Sequence, residues 1–510
     1  MKVSILSTSD VHGYVLPDDF RYPYTEKNFG LAKSATALKE QSDGDVTIMI
    51  ENGDFIQGSP LTDYAKQQEQ LTTFNTLAEA IGYDAQTLGN HEFNYGRDFL
   101  ERLYKDNEYL LNANVVDSET GKPFIGKPYR LIEKLGIKTA IIGVTTQYVP
   151  NWETDMHIEH LRFLDPVTTV KNYVDELRPK VDIIVVAYHG GIERDLETGK
   201  PTETLSGENQ GYELALLPGV DAVVTGHQHR KIATHIAGTP VTQPGYRGEA
   251  IGKIDLQLDA GNKVMSTEAQ LLETEHMAVN TVVQKLIEPV QVLTDQWLDT
   301  PIVTMPKDMN ITDHFAARMA GHPYIDLVNT VQMDVSDTKI ASTALFNDEV
   351  QGLGKSVTRR DIMTNYIYPN EVVVQRLTGQ DIKDALEVNA GYFQIDGDEV
   401  AVNPKYLWPK VEHYNYDMWS GIDYTFDLTQ PVGHRVQDLN EVNEGPIQMT
   451  AVYEVAMNQY RATGAGGFDM FNPNKTIREI PGSMTDHLIQ YLSEQGTNIM
   501  TPLTQFKVTK

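Results

Sequence analysis

Five apolar runs in the first 230 residues each stop at a short polar cluster, and that repeated pattern constrains the fold more than any other feature. Residues 3–9 lead into Asp10-Val11-His12-Gly13, residues 46–51 into Asn52-Gly53-Asp54, and residues 86–88 into Gly89-Asn90-His91-Glu92. Residues 183–187 lead into Tyr188-His189-Gly190-Gly191, and residues 222–225 into Gly226-His227-Gln228-His229. Short apolar runs between helical stretches read as buried strands of an α/β domain. In such sheets functional side chains gather beyond the carboxyl ends of the strands. The neighbouring glycines let the backbone turn sharply enough to crowd several side chains around one point.

The residue types then narrow the chemistry. Of 14 histidines, five (His12, His91, His189, His227 and His229) fall inside these clusters. Any one cluster alone is an ordinary turn or a hydrogen-bonded loop histidine. Together they supply convergent Asp, Asn and His donors, which suit Mn, Zn or Fe rather than a closed thiolate site. The chain has no cysteine, which excludes a disulfide framework, a thiolate metal site and a cysteine nucleophile. The formal charge of −29 argues against a duplex nucleic-acid binder, which needs a basic face. It would also repel a phosphate ester, unless bound divalent cations invert the field locally.

No apolar run reaches the length of about 18 residues that crosses a membrane. Met1-Lys2-Val3 enters the first strand directly, without the pattern of a signal peptide. The expectation is a cytoplasmic protein as the sequence stands, exported if a leader has been removed.

Along the chain, helices are expected at residues 30–40, 67–81 and 168–178, with a buried strand at 139–144 and an antiparallel strand at 254–258. Polar loops are expected at 17–24 and 196–210. Val279, Val282, Val283, Leu286, Ile287, Val290, Leu293 and Leu298 recur at helical spacing, a linker helix with a break point at Pro289. The expected division is a first domain at 1–276, a linker at 277–304 and a second domain at 305–510. Within the second domain, helices are expected near 313–320 and 379–388, and strands at 372–376 and 423–428.

The ordered cluster set resembles the calcineurin-like metallophosphoesterases. The likeness continues to the C-terminus, where the chain is similar to the two-domain family of 5′-nucleotidases and 2′,3′-cyclic-nucleotide phosphodiesterases. The resemblance implies an α/β fold: a four-layer β-sandwich flanked by helices, a linker helix and an α+β substrate-binding domain. It implies two divalent metal ions. Asp10, His12 and His229 would hold one, Asn90, His189 and His227 the other, and Asp54 would bridge them. A hydroxide shared by the ions would attack the phosphorus. His91 would stabilise the transition state or protonate the leaving oxygen, with Asn94 orienting it. Many 5′-nucleotidase relatives carry Asp at the position of Asn94, so Glu92-Phe93-Asn94-Tyr95-Gly96 resembles the cyclic-phosphodiesterase branch instead.

In the second domain, Tyr414-Asn415-Tyr416-Asp417 resembles the same branch, and the Gly-rich run ending at Phe468 resembles the family's late Gly-rich loop. By position Tyr416 and Phe468 would sandwich a nucleobase, and Asn370, in Tyr366-Ile367-Tyr368-Pro369-Asn370, would contact ligand or serve the turn. Ala341-Ser342-Thr343-Ala344-Leu345-Phe346-Asn347 lacks the arginine with which 5′-nucleotidases bind the 5′-phosphate. The expected activity is hydrolysis of 2′,3′-cyclic nucleotides and 3′-nucleotides. The alternatives are a 5′-nucleotidase or nucleotide-sugar hydrolase, and, in another class, a non-catalytic nucleotide sensor.

Overall fold

A computed structural model describes residues 1–21, 24–153, 156–368, 370–408, 411–496 and 506–510. Pro369 of the Tyr366–Asn370 motif, and Tyr22 and Pro23 of the first expected loop, lie outside the described residues. The chain divides into two units, residues 1–296 and 297–510.

In the first unit, one six-stranded sheet runs in the order Val264–Glu273, Ala250–Leu258, Lys2–Thr8, Val46–Glu51, Ala85–Thr87, Leu110–Leu111. A second runs Lys231–Ile236, Thr239–Pro244, Ala222–Val224, Ile183–His189, Ile137–Thr145, Tyr129–Lys134. The strands that end in the polar clusters pair in parallel with one another within each sheet, so their carboxyl ends share an edge. Alternation explains why both sheet faces are apolar. Ile183, Val185 and Ala187 pack with Val3, Ile5, Ile48 and Ile50 between the sheets. Ile184, Val186 and Tyr188 face the other way, onto Val170, Val174 and Leu177 of the helix Pro166–Leu177. Helix Leu31–Glu40 covers the first sheet. The result is the expected layering of helix, sheet, sheet and helix.

Residues 67–81 do not form one helix. They divide into the end of Pro60–Gln67 and a second helix Thr72–Ile81, the former started by Ser59, whose hydroxyl accepts the Thr62 N–H at 3.4 Å, and by Pro60 at its first position. Helix Thr281–Leu298 runs on through Pro289. Pro289 lies on the exposed side with Lys285, the residue whose carbonyl a proline at 289 cannot bond. Val283, Ile287 and Val290 are buried, and Gln291 donates to Asp18 at 3.1 Å. Most of this helix therefore belongs to the first unit and is not a detached linker.

The second unit is built on a mixed five-stranded sheet in the order Asp417–Ser420, Ile340–Ala344, Val452–Asn458, Glu371–Thr378, Thr476–Ser483. Helices Pro323–Ser336, Gly379–Ala390 and Met484–Gln495 pack on it. A four-stranded sheet adds Gly445–Pro446, Val436–Glu441, Ile422–Asp427 and Phe506–Thr509. Thr378 caps Gly379–Ala390 through a capping box with Asp381. Among the described residues, no helix is long and apolar enough to cross a membrane.

Candidate metal centre

All seven expected ligands come together at the shared edge of the two sheets. The donor atoms of Asp10, His12 and His229 lie within 4.8 Å of one another, and so do those of Asp54, His189 and His227. Asp54 Oδ2 is 3.2 Å from His189 Nε2 and 3.9 Å from His12 Nε2, so one carboxylate faces both groups. Asn90 Oδ1 is 2.8 Å from His227 Nδ1 and 3.2 Å from His189 Nε2, which adds it to the second group.

The backbone is forced to make this convergence possible. Asp10, His12, Asp54, His227 and His229 all have positive φ, between 51° and 69°. Non-glycine residues enter this region at a cost of roughly 1–3 kcal/mol each, and do so mainly where a site requires it. At Gly53, φ +88°, a Cβ would sit 2.6 Å from the Gly89 nitrogen and 2.7 Å from His189 Nδ1. Only glycine fits there.

Hydrogen bonds fix which ring nitrogen each histidine turns inward. His12 Nδ1 donates to the Gln57 carbonyl at 2.7 Å, and His189 Nδ1 to the Asn52 carbonyl at 2.7 Å. A carbonyl only accepts, so Nε2 is the nitrogen each ring turns to the site, and it offers a lone pair there when the ring is neutral, the form that binds a metal. His12 Nε2 then meets His229 Nε2 at 3.0 Å. His229 is stacked on Tyr246, with ring centroids 4.9 Å apart.

These donors fit divalent cations on their own chemistry. Asp10 and Asp54 are buried, at 0% and 1% exposure, and among the described residues neither pairs with a lysine or arginine. Burial works to raise the Asp54 carboxyl, but His189 and the other imidazoles hold it well below the ordinary range. Burial works to lower His189, but Asp54 and Asp10 outweigh it and push it up to about 10. Burial dominates at His12 and takes it down to about 4. Two buried carboxylates facing a cluster of imidazole nitrogens call for positive charge between them, and that is what bound metal ions supply.

The comparisons with known proteins agree with this geometry. The calcineurin-like phosphoesterase model matches residues 3–231, and the model of the 5′-nucleotidase C-terminal domain matches residues 303–473. A putative 5′-nucleotidase from Staphylococcus aureus, a solved structure, is 34% identical over 100% of both chains, with a TM-score of 0.78. The chain belongs to the two-domain 5′-nucleotidase family. A further member, the 2′,3′-cyclic-nucleotide 2′-phosphodiesterase/3′-nucleotidase of Haemophilus influenzae, is 26% identical over 97% of this chain and 83% of its own. The trifunctional nucleotide phosphoesterase YfkN of Bacillus subtilis is 27% identical over 97% of this chain, which spans 38% of that relative's length.

In this family member the clusters depend on residues that their motifs do not reveal. Glu92 is buried, and its carboxylate accepts the N–H groups of Gly89, Asp54 and Phe55 at 2.6, 2.9 and 2.8 Å. It ties the loop carrying Asn90 to the loop carrying Asp54. Glu208 lies 3.2 Å from His227 Nε2, the position of a carboxylate that orients a metal-binding imidazole. His91 and Asn94 line a cavity of about 250 Å³ with Asn90, His227, Val149, Trp152 and Glu153. Glu92 was visible beside Asn90, but two of its three acceptor contacts, with Asp54 and Phe55, are long-range. Glu208 sits in a polar loop with no local signal.

The expected substrate residues need correction. Tyr416 is fully buried, stacked 4.6 Å from Tyr392, and its hydroxyl donates to the Arg318 carbonyl at 2.8 Å. Phe468 is fully buried between Phe471, at 5.6 Å, and the Arg461 guanidinium, at 4.0 Å. Neither ring offers a face to a base. Both pack as core residues, covered by the side chains around them. The Asn370 N–H bonds to the Tyr368 carbonyl at 2.8 Å, and its own carbonyl accepts from Met484 at 2.9 Å, which gives it a turn role. An arginine does reach the run 341–347, but from elsewhere: Arg318, 2% exposed, donates to the Leu345 carbonyl at 3.2 Å and to Asp348 at 2.7 Å.

Proposed function

We propose that this protein is a metal-dependent nucleotide phosphohydrolase acting on 2′,3′-cyclic nucleotides and 3′-nucleotides. The observation that carries this is the double donor set at the strand ends, with Asp54 shared between its halves. Asp10, His12 and His229 would hold one divalent ion, and Asn90, His189 and His227 the other. Mn, Zn or Fe suits the mixed oxygen and nitrogen donors. Two such ions lower the pKa of water and neutralise charge on the phosphoryl oxygens.

The protein's own part is positional. His91 and Asn94 face the cavity beside the donor set, with His91 Nδ1 2.8 Å from Asn94 Oδ1. His91 would stabilise the transition state or protonate the leaving oxygen. Support for the cyclic substrate class comes from Asn94 in place of Asp, from the run 341–347 without arginine, and from the name of the Haemophilus relative.

Turnover of a panel of 2′,3′-cyclic, 3′- and 5′-nucleotides with added manganese tests this function. Preference for 5′-nucleotides would move the protein to the 5′-nucleotidase reading, and no turnover of any of them would leave a nucleotide sensor. His91→Ala should lower kcat by roughly a hundredfold while metal content is unchanged. Metal loss in that variant, measured by elemental analysis, would make His91 a ligand.

Tyr414 and Tyr460 take over the expected base-stacking role. They lie on the same two segments as Tyr416 and Phe468, 6.3 Å apart, with Tyr460 43% exposed. Tyr460→Ala should raise KM for nucleotides by the loss of about 1–3 kcal/mol of stacking. It should leave bis(p-nitrophenyl) phosphate, which has no base, little affected. Equal losses on both substrates would remove Tyr460 from base recognition.

A further inference from the structure

A chain of hydrogen bonds leads outward from His91, away from the metal-facing donors. His91 Nδ1 lies 2.8 Å from Asn94 Oδ1, and Asn94 Nδ2 donates to Glu153 Oε2 at 2.6 Å. The other oxygen, Glu153 Oε1, is 2.7 Å from His157 Nδ1. The turn His91–Tyr95 places residues 91 and 94 on one side, three positions apart. Glu153 arrives from a separate loop just after the turn Val149–Asn151, and its side chain is only 7% exposed.

The direction of this chain is set by its outer end. A carboxylate accepts and does not donate, so Glu153 requires the NH₂ side of the Asn94 amide. The amide oxygen must then face His91. An oxygen can only accept, so His91 Nδ1 carries the hydrogen, and Nε2 is the nitrogen left to meet a substrate. Without Glu153 the amide has no such constraint, because its two ends are nearly the same size and shape.

We infer that Glu153 is a positioning residue for this site. It locks the Asn94 amide, and through that amide the ring of His91. It also supplies, one residue further out, the negative charge that an aspartate at position 94 would place directly beside the imidazole. Buried hydrogen-bond chains ending in a charge polarise each member. The inference rests on His91 acting at the phosphoester as proposed above.

The decisive experiment exchanges the two groups. Asn94→Asp alone sets two carboxylates at a 2.6 Å contact, where they repel or trap a proton. It should lower kcat on bis(p-nitrophenyl) phosphate by roughly tenfold or more at pH 8, with metal content unchanged. Adding Glu153→Gln should recover most of that loss, because an amide can donate to the new carboxylate. A purely structural glutamate predicts the opposite, two losses that multiply.

A second measurement does not depend on turnover. The ¹⁵N shifts of His91 in the zinc-loaded protein should report the Nδ1–H form, and Glu153→Leu should mix in the other tautomer. The proposal is overturned if the paired variant is no better than Asn94→Asp alone, or if Glu153→Leu leaves the His91 tautomer unchanged. If no phosphoester is hydrolysed by the wild-type protein, the proposed function fails while the tautomer measurement still decides the role of Glu153.

Discussion

Asp54→Ala should release both metal ions together and lower kcat by about a thousandfold or more. The carboxylate is 1% exposed and faces His189 at 3.2 Å and His12 at 3.9 Å, so both halves of the donor set lose the same oxygen. Two ions held close together need a shared anion to offset their repulsion. Metal catalysis of this kind is worth several kcal/mol of transition-state stabilisation, and about 1.4 kcal/mol corresponds to each factor of ten. The loss should exceed that of any single terminal ligand, because His12 or His227 serves one half alone. Asp54 also accepts the His91 N–H at 2.8 Å, so the variant loosens the turn that carries His91 and Asn94. Elemental analysis after dialysis, alongside kcat with added manganese, reads both effects. Retention of one ion per chain would show that Asp54 is terminal and not shared.

Phe468→Ala should destabilise the second unit by about 3–5 kcal/mol, the usual cost of truncating a fully buried phenylalanine. Its ring covers an ion pair in which both partners, Arg461 and Asp417, are 1% exposed. Arg461 donates to Asp417 from Nε at 2.6 Å and from Nη2 at 3.2 Å, and it also donates to the carbonyls of Tyr414 and Ala465. A buried pair of this kind is stable only while its hydrogen bonds are complete and water is kept out. Removing the ring opens a cavity on the face of the guanidinium, and the stacked Phe471 loses its partner. Urea unfolding reads the loss. An unchanged unfolding curve with a raised KM for nucleotides alone would return Phe468 to the base-binding role that its position in the sequence first suggested.

The two variants mark where sequence reasoning succeeds and where it stops. The candidate ligands were legible because the signal is local. An apolar strand must end, and a strand end made of Asp, Asn or His beside Gly is an unusual way to end it. Five such ends in one domain point to a common edge before any coordinates are known. The layering of the first unit was legible for the same reason, since residues 183–188 are apolar at every position and so must be covered on both faces.

What needed the tertiary structure was everything decided by distant partners. Tyr416 and Tyr414 differ by two positions in one motif, yet one is sealed against Tyr392 and Phe393 while the other stays partly exposed. No periodicity separates them, because the covering side chains come from another segment. Pro289 signalled a helix break, but it lies on the exposed side and the helix continues. Glu92, Glu153 and Glu208 read as three ordinary acidic residues among 71 Asp and Glu. Only folding brings them to Asp54, Asn94 and His227, which lie 38, 59 and 19 positions away. The sequence by itself determined which side chains could hold metal and which strands present them, because strand ends and residue chemistry are local properties. The tertiary structure decided which carboxylates brace those side chains and which aromatic faces are open, because hydrogen bonding and burial are properties of pairs that the chain order does not record.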